Sequence, residues 1–109
     1  MSNKLTIYLA GRMGGLTKIE YNTWREVLKK KLEIAATCCN SIIQVINPAD
    51  YFDFDNMEGH TDKEIMQFDL NMVRKSDIVI ANINGINESI GTAIEVYEAN
   101  RLNIPVIKY

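Results

Sequence analysis

The chain has 109 residues, 47% of them hydrophobic and 24% charged, which predicts a single domain over 1–109 with one core. A net charge of -2 and a pI of about 5.3 exclude the broad basic face a nucleic-acid polymer demands, though not a small anionic ligand held by one or two local cations. No apolar run approaches the roughly 18 residues of a membrane helix, and the N-terminus lacks a signal-peptide core, so a cytoplasmic protein without membrane contact is expected.

Lys4 to Ala10 is rich in β-formers and bounded by Gly11, and reads as the first strand. Gly11-Arg12-Met13-Gly14-Gly15 follows, with glycines that permit positive φ or close approach of backbone to a ligand. Ile19 to about Thr37 reads as a helix, because Trp24, Val27, Leu28, Leu32 and Ala35 recur at helical spacing. The charges Arg25, Glu26, Lys29, Lys30 and Glu33 then fall on a solvated face. Cys38 and Cys39 are adjacent, unlike the spaced pairs of zinc sites, and read as reduced thiols packing near the helix end.

Ile42 to Ile46 is the expected second strand, ended by Asn47-Pro48. Ala49 to His60 is polar and aromatic, long for a connection, and of the length used by binding loops and lids. Its acidic residues Asp50, Asp53, Asp55 and Glu58 fit no EF-hand spacing, and His60 is the only histidine, so neither a metal nor a cofactor is expected. Thr61-Asp62-Lys63-Glu64 has the form of a capping box, with Glu64 reaching back. The helix it opens runs to about Lys75, with Ile65, Phe68, Met72 and Val73 as core positions. Ser76 and Asp77 precede a third strand, Ile78 to Ala81, and Asp77 reads as a cap or turn residue. A polar loop, Asn82 to Glu88, leads into a helix opened by Ser89-Ile90-Gly91-Thr92 and carrying Glu95 in its second turn. Ile104 to Ile107 is the fourth strand.

Strictly alternating strands and helices predict an α/β fold: a small flavodoxin- or Rossmann-like three-layer domain with a mainly parallel four-stranded sheet, order 2-1-3-4, and helices on both faces. In that order the loops after the first and third strands lie side by side at the switch point, where such sheets bind ligands. Arg12 in the first loop can hold an anion bidentately. Ser89 in the second is either a helix N-cap or a presenter of hydroxyl and helix amides to an anion. Glu95 and Asp69 are each either solvated helix carboxylates or functional ones, and aspartate is an odd choice for a helix interior. Glu98, a turn further along, reads as surface.

The run Ser89-Ile90-Gly91-Thr92-Ala93-Ile94-Glu95, with Ala99 and Ile104-Pro105-Val106, resembles the signature of the nucleoside 2-deoxyribosyltransferase superfamily. Thr6 to Gly11, Asn47-Pro48, Phe68-Asp69-Leu70 and Ser76 to Val79 resemble its first strand and glycine loop, second-strand end, second helix and third strand. The resemblance implies cleavage of the N-glycosidic bond of a (2′-deoxy)nucleoside or nucleoside 5′-monophosphate, with water or another nucleobase as acceptor. It makes Glu95 the nucleophile, Tyr8 the group that orients it, and Asp69 the proton donor to the leaving base. It places Gly11, Arg12, Gly14, Ser89, Gly91 and Thr92 against the substrate. Transferases of the family commonly carry aspartate where this chain has Ser89, and serine there resembles the 5′-monophosphate N-glycosidase branch. The glycine loop here is more compact than in that branch and has no serine. Family sites are often completed by a neighbouring subunit, which implies a homodimer or higher homo-oligomer. The alternative is a non-catalytic nucleotide-binding module of the same fold.

Overall fold

In the computed structural model, residues 4–51 and 61–109 are described. The elements are β1 (Lys4–Ala10), α1 (Lys18–Cys38), β2 (Ile42–Ile46), α2 (Asp62–Arg74), β3 (Ile78–Ala81), α3 (Ile90–Arg101) and β4 (Val106–Lys108). The sheet order is β2-β1-β3-β4 with every pairing parallel, as the alternation predicts. Asp53, Asp55, Glu58 and His60 of the expected long loop lie outside the described residues, so the long-loop and metal readings fall there too. Among the described residues, no helix is long and apolar enough to cross a membrane.

The period-two alternation of β1 divides the core. Ile7 and Leu9 point to one face, where they pack with Leu28, Ile80, Trp24 and Leu32 under α1. Tyr8 and Ala10 point to the other, with Val73, Val79, Ala81 and Ala99 under α2 and α3. Tyr8 is thereby aimed at the layer that carries both candidate carboxylates. Ala10 pairs with Ala81 and the Asn82 amide donates to the Ala10 carbonyl at 2.9 Å, so the loops leaving β1 and β3 start side by side.

Helix starts follow their caps. Thr17 and Glu20 close a reciprocal capping box, which begins α1 at Lys18. At α2, Thr61 Oγ1 accepts from the Glu64 amide at 3.1 Å. Asp77 accepts from the Thr6 amide at 2.8 Å, so this turn residue also ties β1 to the start of β3. β4 begins at Val106, two residues later than expected. Asn103 turns the chain with φ 60, the Ile104 amide caps the Ala99 carbonyl, and Pro105 has no N–H to give the sheet.

Four readings are corrected. The buried stripe of α1 is Tyr21, Arg25, Leu28 and Ala36, while Val27 is 43% exposed and Ala35 is exposed. Arg25, placed on the solvated face by its charge, is 0% exposed. Cys38 and Cys39, the last residue and the C-cap of α1, are exposed free thiols, not packing groups. Glu98 is buried rather than surface: it links α2 to α3 through Arg74 (3.3 Å) and Arg101 (Nε, 2.7 Å). Both arginines hold its carboxyl below the usual range, Arg101 foremost.

Candidate active site

The site is assembled from three parts of the chain. The β1 loop supplies Gly11, Arg12 and Gly14, α2 supplies Asp69, and the start of α3 supplies Ser89, Gly91, Thr92 and Glu95. All eight line one cavity of about 290 Å³, with Met13, Ile65, Met66 and Ile90 as its apolar wall. Tyr8, fully buried on β1, lies behind the cavity wall, coupled electrostatically to both Glu95 and Asp69.

The two loops have local reasons for their shape. A Cβ on Gly11 would sit 2.6 Å from the Trp24 ring and 3.2 Å from Arg25 Nη2, so only glycine lets the chain leave β1 this close to α1. Gly15 takes φ +79, and a Cβ there would meet Arg12 Nη2 at 2.9 Å. Arg12 Nε donates to the Gly14 carbonyl at 3.1 Å, and Nη1 pairs with Glu88 at 2.8 Å across to the β3 loop. Ser89 is the N-cap of α3. Its Oγ accepts from the Thr92 amide at 3.3 Å and shares a 2.8 Å hydrogen bond with Thr92 Oγ1. Ser89 thus caps the helix, as the first of its two readings has it, and it also lines the cavity.

Burial dominates the electrostatics. Asp69 and Glu95 are each only 5% exposed. Desolvation raises Glu95 to about 8, opposed by the Tyr8 hydroxyl, helped by the Asp69 charge and opposed again by Arg25. Desolvation likewise raises Asp69 to about 7, with Arg25 holding it back. Tyr8 is pushed well above its ordinary value by burial and then by the neighbouring carboxylates Glu95 and Asp69. The Tyr8 hydroxyl lies close enough to Glu95 to affect its ionisation without meeting the geometry of a full hydrogen bond. Tyr8 Oη, Asp69 Oδ1 and Glu95 Oε2 have no hydrogen-bond partner among the described residues. Buried polar atoms are normally paired, so these three stand out from the rest of the interior.

The residue that sequence reasoning missed is Arg25. Its guanidinium donates to the Gly11 carbonyl at 2.9 Å and to the Tyr21 carbonyl, and it lies 4.6 Å from the Trp24 ring centroid. Desolvation lowers it to about 10, against the pull of Tyr8, Glu95, Asp69 and Tyr21. The available signal was the spacing Tyr21, Arg25, Leu28, which is one helical face.

Comparison with known proteins bears on this geometry. The family model described as nucleoside 2-deoxyribosyltransferase matches residues 7–109. A crystal structure of a conserved protein from Enterococcus faecalis V583 superimposes with a TM-score of 0.71 at 24% identity, covering 99% of this chain. The chain spans 63% of that structure's length, and the likeness shows the shared fold. No curated protein matches the sequence.

Proposed function

Since the chain belongs to the nucleoside 2-deoxyribosyltransferase family, we propose that it cleaves the N-glycosidic bond of a (2′-deoxy)nucleoside or its 5′-monophosphate, with Glu95 as nucleophile. The observation that carries this reading is the convergence of two buried carboxyls, Asp69 and Glu95, on one cavity, each with an oxygen that has no hydrogen-bond partner among the described residues.

A Glu95 oxygen attacks C1′ and forms a glycosyl ester as the C1′–N bond breaks. The bonding pair leaves with the nucleobase, and Asp69 delivers the proton that makes the base a good leaving group. An acceptor then attacks C1′, the ester breaks, and Glu95 is released as carboxylate. The acceptor's proton returns to Asp69. Water as acceptor gives hydrolysis; a second nucleobase gives exchange. Met66, Ile65 and Ile90 supply an apolar wall against which a base can lie.

This division of labour needs Glu95 ionised and Asp69 protonated. Burial raises both carboxyls, and the Asp69 charge acts on Glu95, so the protein groups alone do not divide them into acid and anion. The pair is coupled, and the substrate decides where the proton sits. A base whose acceptor nitrogen meets Asp69 keeps the proton there and leaves the negative charge on Glu95.

The test is release of free base, followed by chromatography, from each deoxynucleoside and its 5′-monophosphate, with and without a second base. We expect turnover that Glu95→Ala reduces by at least about a thousandfold. A Glu95→Ala protein that keeps its rate removes the nucleophile assignment. Nucleotide binding without turnover in the wild type favours the non-catalytic binding module instead.

A further inference from the structure

Arg25 sits where neither composition nor helical charge pattern would put a cation. It projects from α1, which covers one face of the sheet, yet its guanidinium holds the carbonyl of Gly11, which lines the cavity together with Asp69 and Glu95, and its charge acts on Tyr8, Glu95 and Asp69. On α1 itself the group facing it is Tyr21. It has no exposed surface, and none of the ion pairs among the described residues includes it. Two of its nitrogens are spent on carbonyls, those of Tyr21 and Gly11, and Nε has no partner among the described residues. A buried arginine kept only for packing is an expensive strut, since a neutral side chain would avoid the desolvation of a guanidinium.

We propose that Arg25 is a positioning residue for glycosidic cleavage: its buried guanidinium is the fixed counter-charge for the anion shared by Glu95 and Asp69, and it clamps the Gly11 loop on which the substrate rests. The two halves of the role reinforce each other. The hydrogen bond to the Gly11 carbonyl fixes the guanidinium relative to β1, where Tyr8 stands two residues before Ala10. The Trp24 ring beneath the guanidinium limits its movement. Because Arg25 is hydrogen-bonded to backbone carbonyls and not to either carboxylate, it stabilises charge on the pair without choosing which member carries it. That leaves the choice to the substrate, as the proposed chemistry requires, and the inference rests on that reading of the site.

The test follows ionisation directly. In protein labelled at arginine nitrogens and at Asp and Glu side-chain carboxyls, NMR signals of Arg25, Asp69 and Glu95 are recorded across the neutral pH range. We expect the Arg25 signal to move with the same midpoints as the two carboxyls. Arg25→Gln should raise those midpoints by roughly one pH unit or more, the effect of an opposite charge close by, and Arg25→Lys should bring them back toward the wild-type values. Where a deoxynucleoside is turned over, the acid limb of kcat in Arg25→Gln should move up by the same amount. An Arg25 signal that stays flat while the carboxyls titrate overturns the proposal, and so do unchanged midpoints in Arg25→Gln. The wild-type measurement decides even if Arg25→Gln fails to fold. The NMR readouts need no turnover, so the cleavage reading can fail at the base-release assay while this charge coupling stands, and the reverse.

Discussion

At the scale of single residues, burial of the carboxyls makes stability depend on pH. Glu95 is the clearest case, because burial lifts it from 4.5 to about 8. The folded state then binds this proton more tightly than the unfolded chain does. Stability is fully present below the unfolded value of 4.5 and falls as pH rises toward about 8, because ionising the buried carboxyl favours unfolding. A neutral isostere escapes this. Glu95→Gln should therefore match the wild type near pH 4.5 and melt progressively higher than it toward pH 8, by several degrees at about 4–8 °C per kcal/mol. Melting temperatures of both proteins at the two ends of that window check it, and a difference that ignores pH would contradict the raised value. Asp69 was legible in the sequence as an aspartate out of place in a helix. Arg25 was not. Its charge marked it as surface, and its burial depends on Gly11 bringing the β1 loop against α1, a contact between residues that no helical periodicity connects. Glu98 was misread for the same reason: its partner Arg74 belongs to another helix.

At the scale of elements, alternation in the chain was enough to give the sheet order, because parallel strands joined by right-handed crossovers leave few arrangements. The loops were harder. That Arg12 and Ser89 would meet at one cavity was legible from the sheet order, but the Arg12–Glu88 pair that locks the β1 loop to the β3 loop was not foreseeable from spacing. That pair bears on the 5′-monophosphate question. A phosphate reaching Arg12 meets Glu88 already there and must displace it, and the carboxylate repels the phosphate as well. Glu88→Gln should strengthen binding of a deoxynucleoside 5′-monophosphate a few-fold, within the roughly 0.2–1 kcal/mol of a partly exposed pair, and leave the matching deoxynucleoside unchanged. Titration calorimetry with both ligands measures it. Equal changes for the two would remove Arg12 from the phosphate assignment.

At the scale of the whole molecule, three helices and four strands give a small core, and several apolar side chains are left outside it. Ile90, Ile94 and Tyr97 are spaced at i, i+4 and i+7 along α3, all exposed, with Ile90 at 78% and also lining the cavity. A stripe of this kind beside a pocket is what a self-complementary contact would cover. The expected homodimer can then be tested on this face: the wild type should sediment as a dimer, and Tyr97→Arg as a monomer. A monomeric wild type at micromolar concentration would leave the stripe without that explanation.

Trp24 is the chain's one tryptophan, and its position has a practical consequence. Its ring stacks on Tyr109 at 5.6 Å, supports the Arg25 guanidinium, and bars any side chain at Gly11. Tyr109 is in turn tied to the end of β3 through its amide and the Ala81 carbonyl at 2.9 Å. All tryptophan fluorescence of the protein thus originates beside the glycine loop and within reach of the charge that faces the carboxyl pair. The fold carries an unlabelled optical reporter of its own pocket, at the spot where a bound substrate and a shifting proton would both be felt.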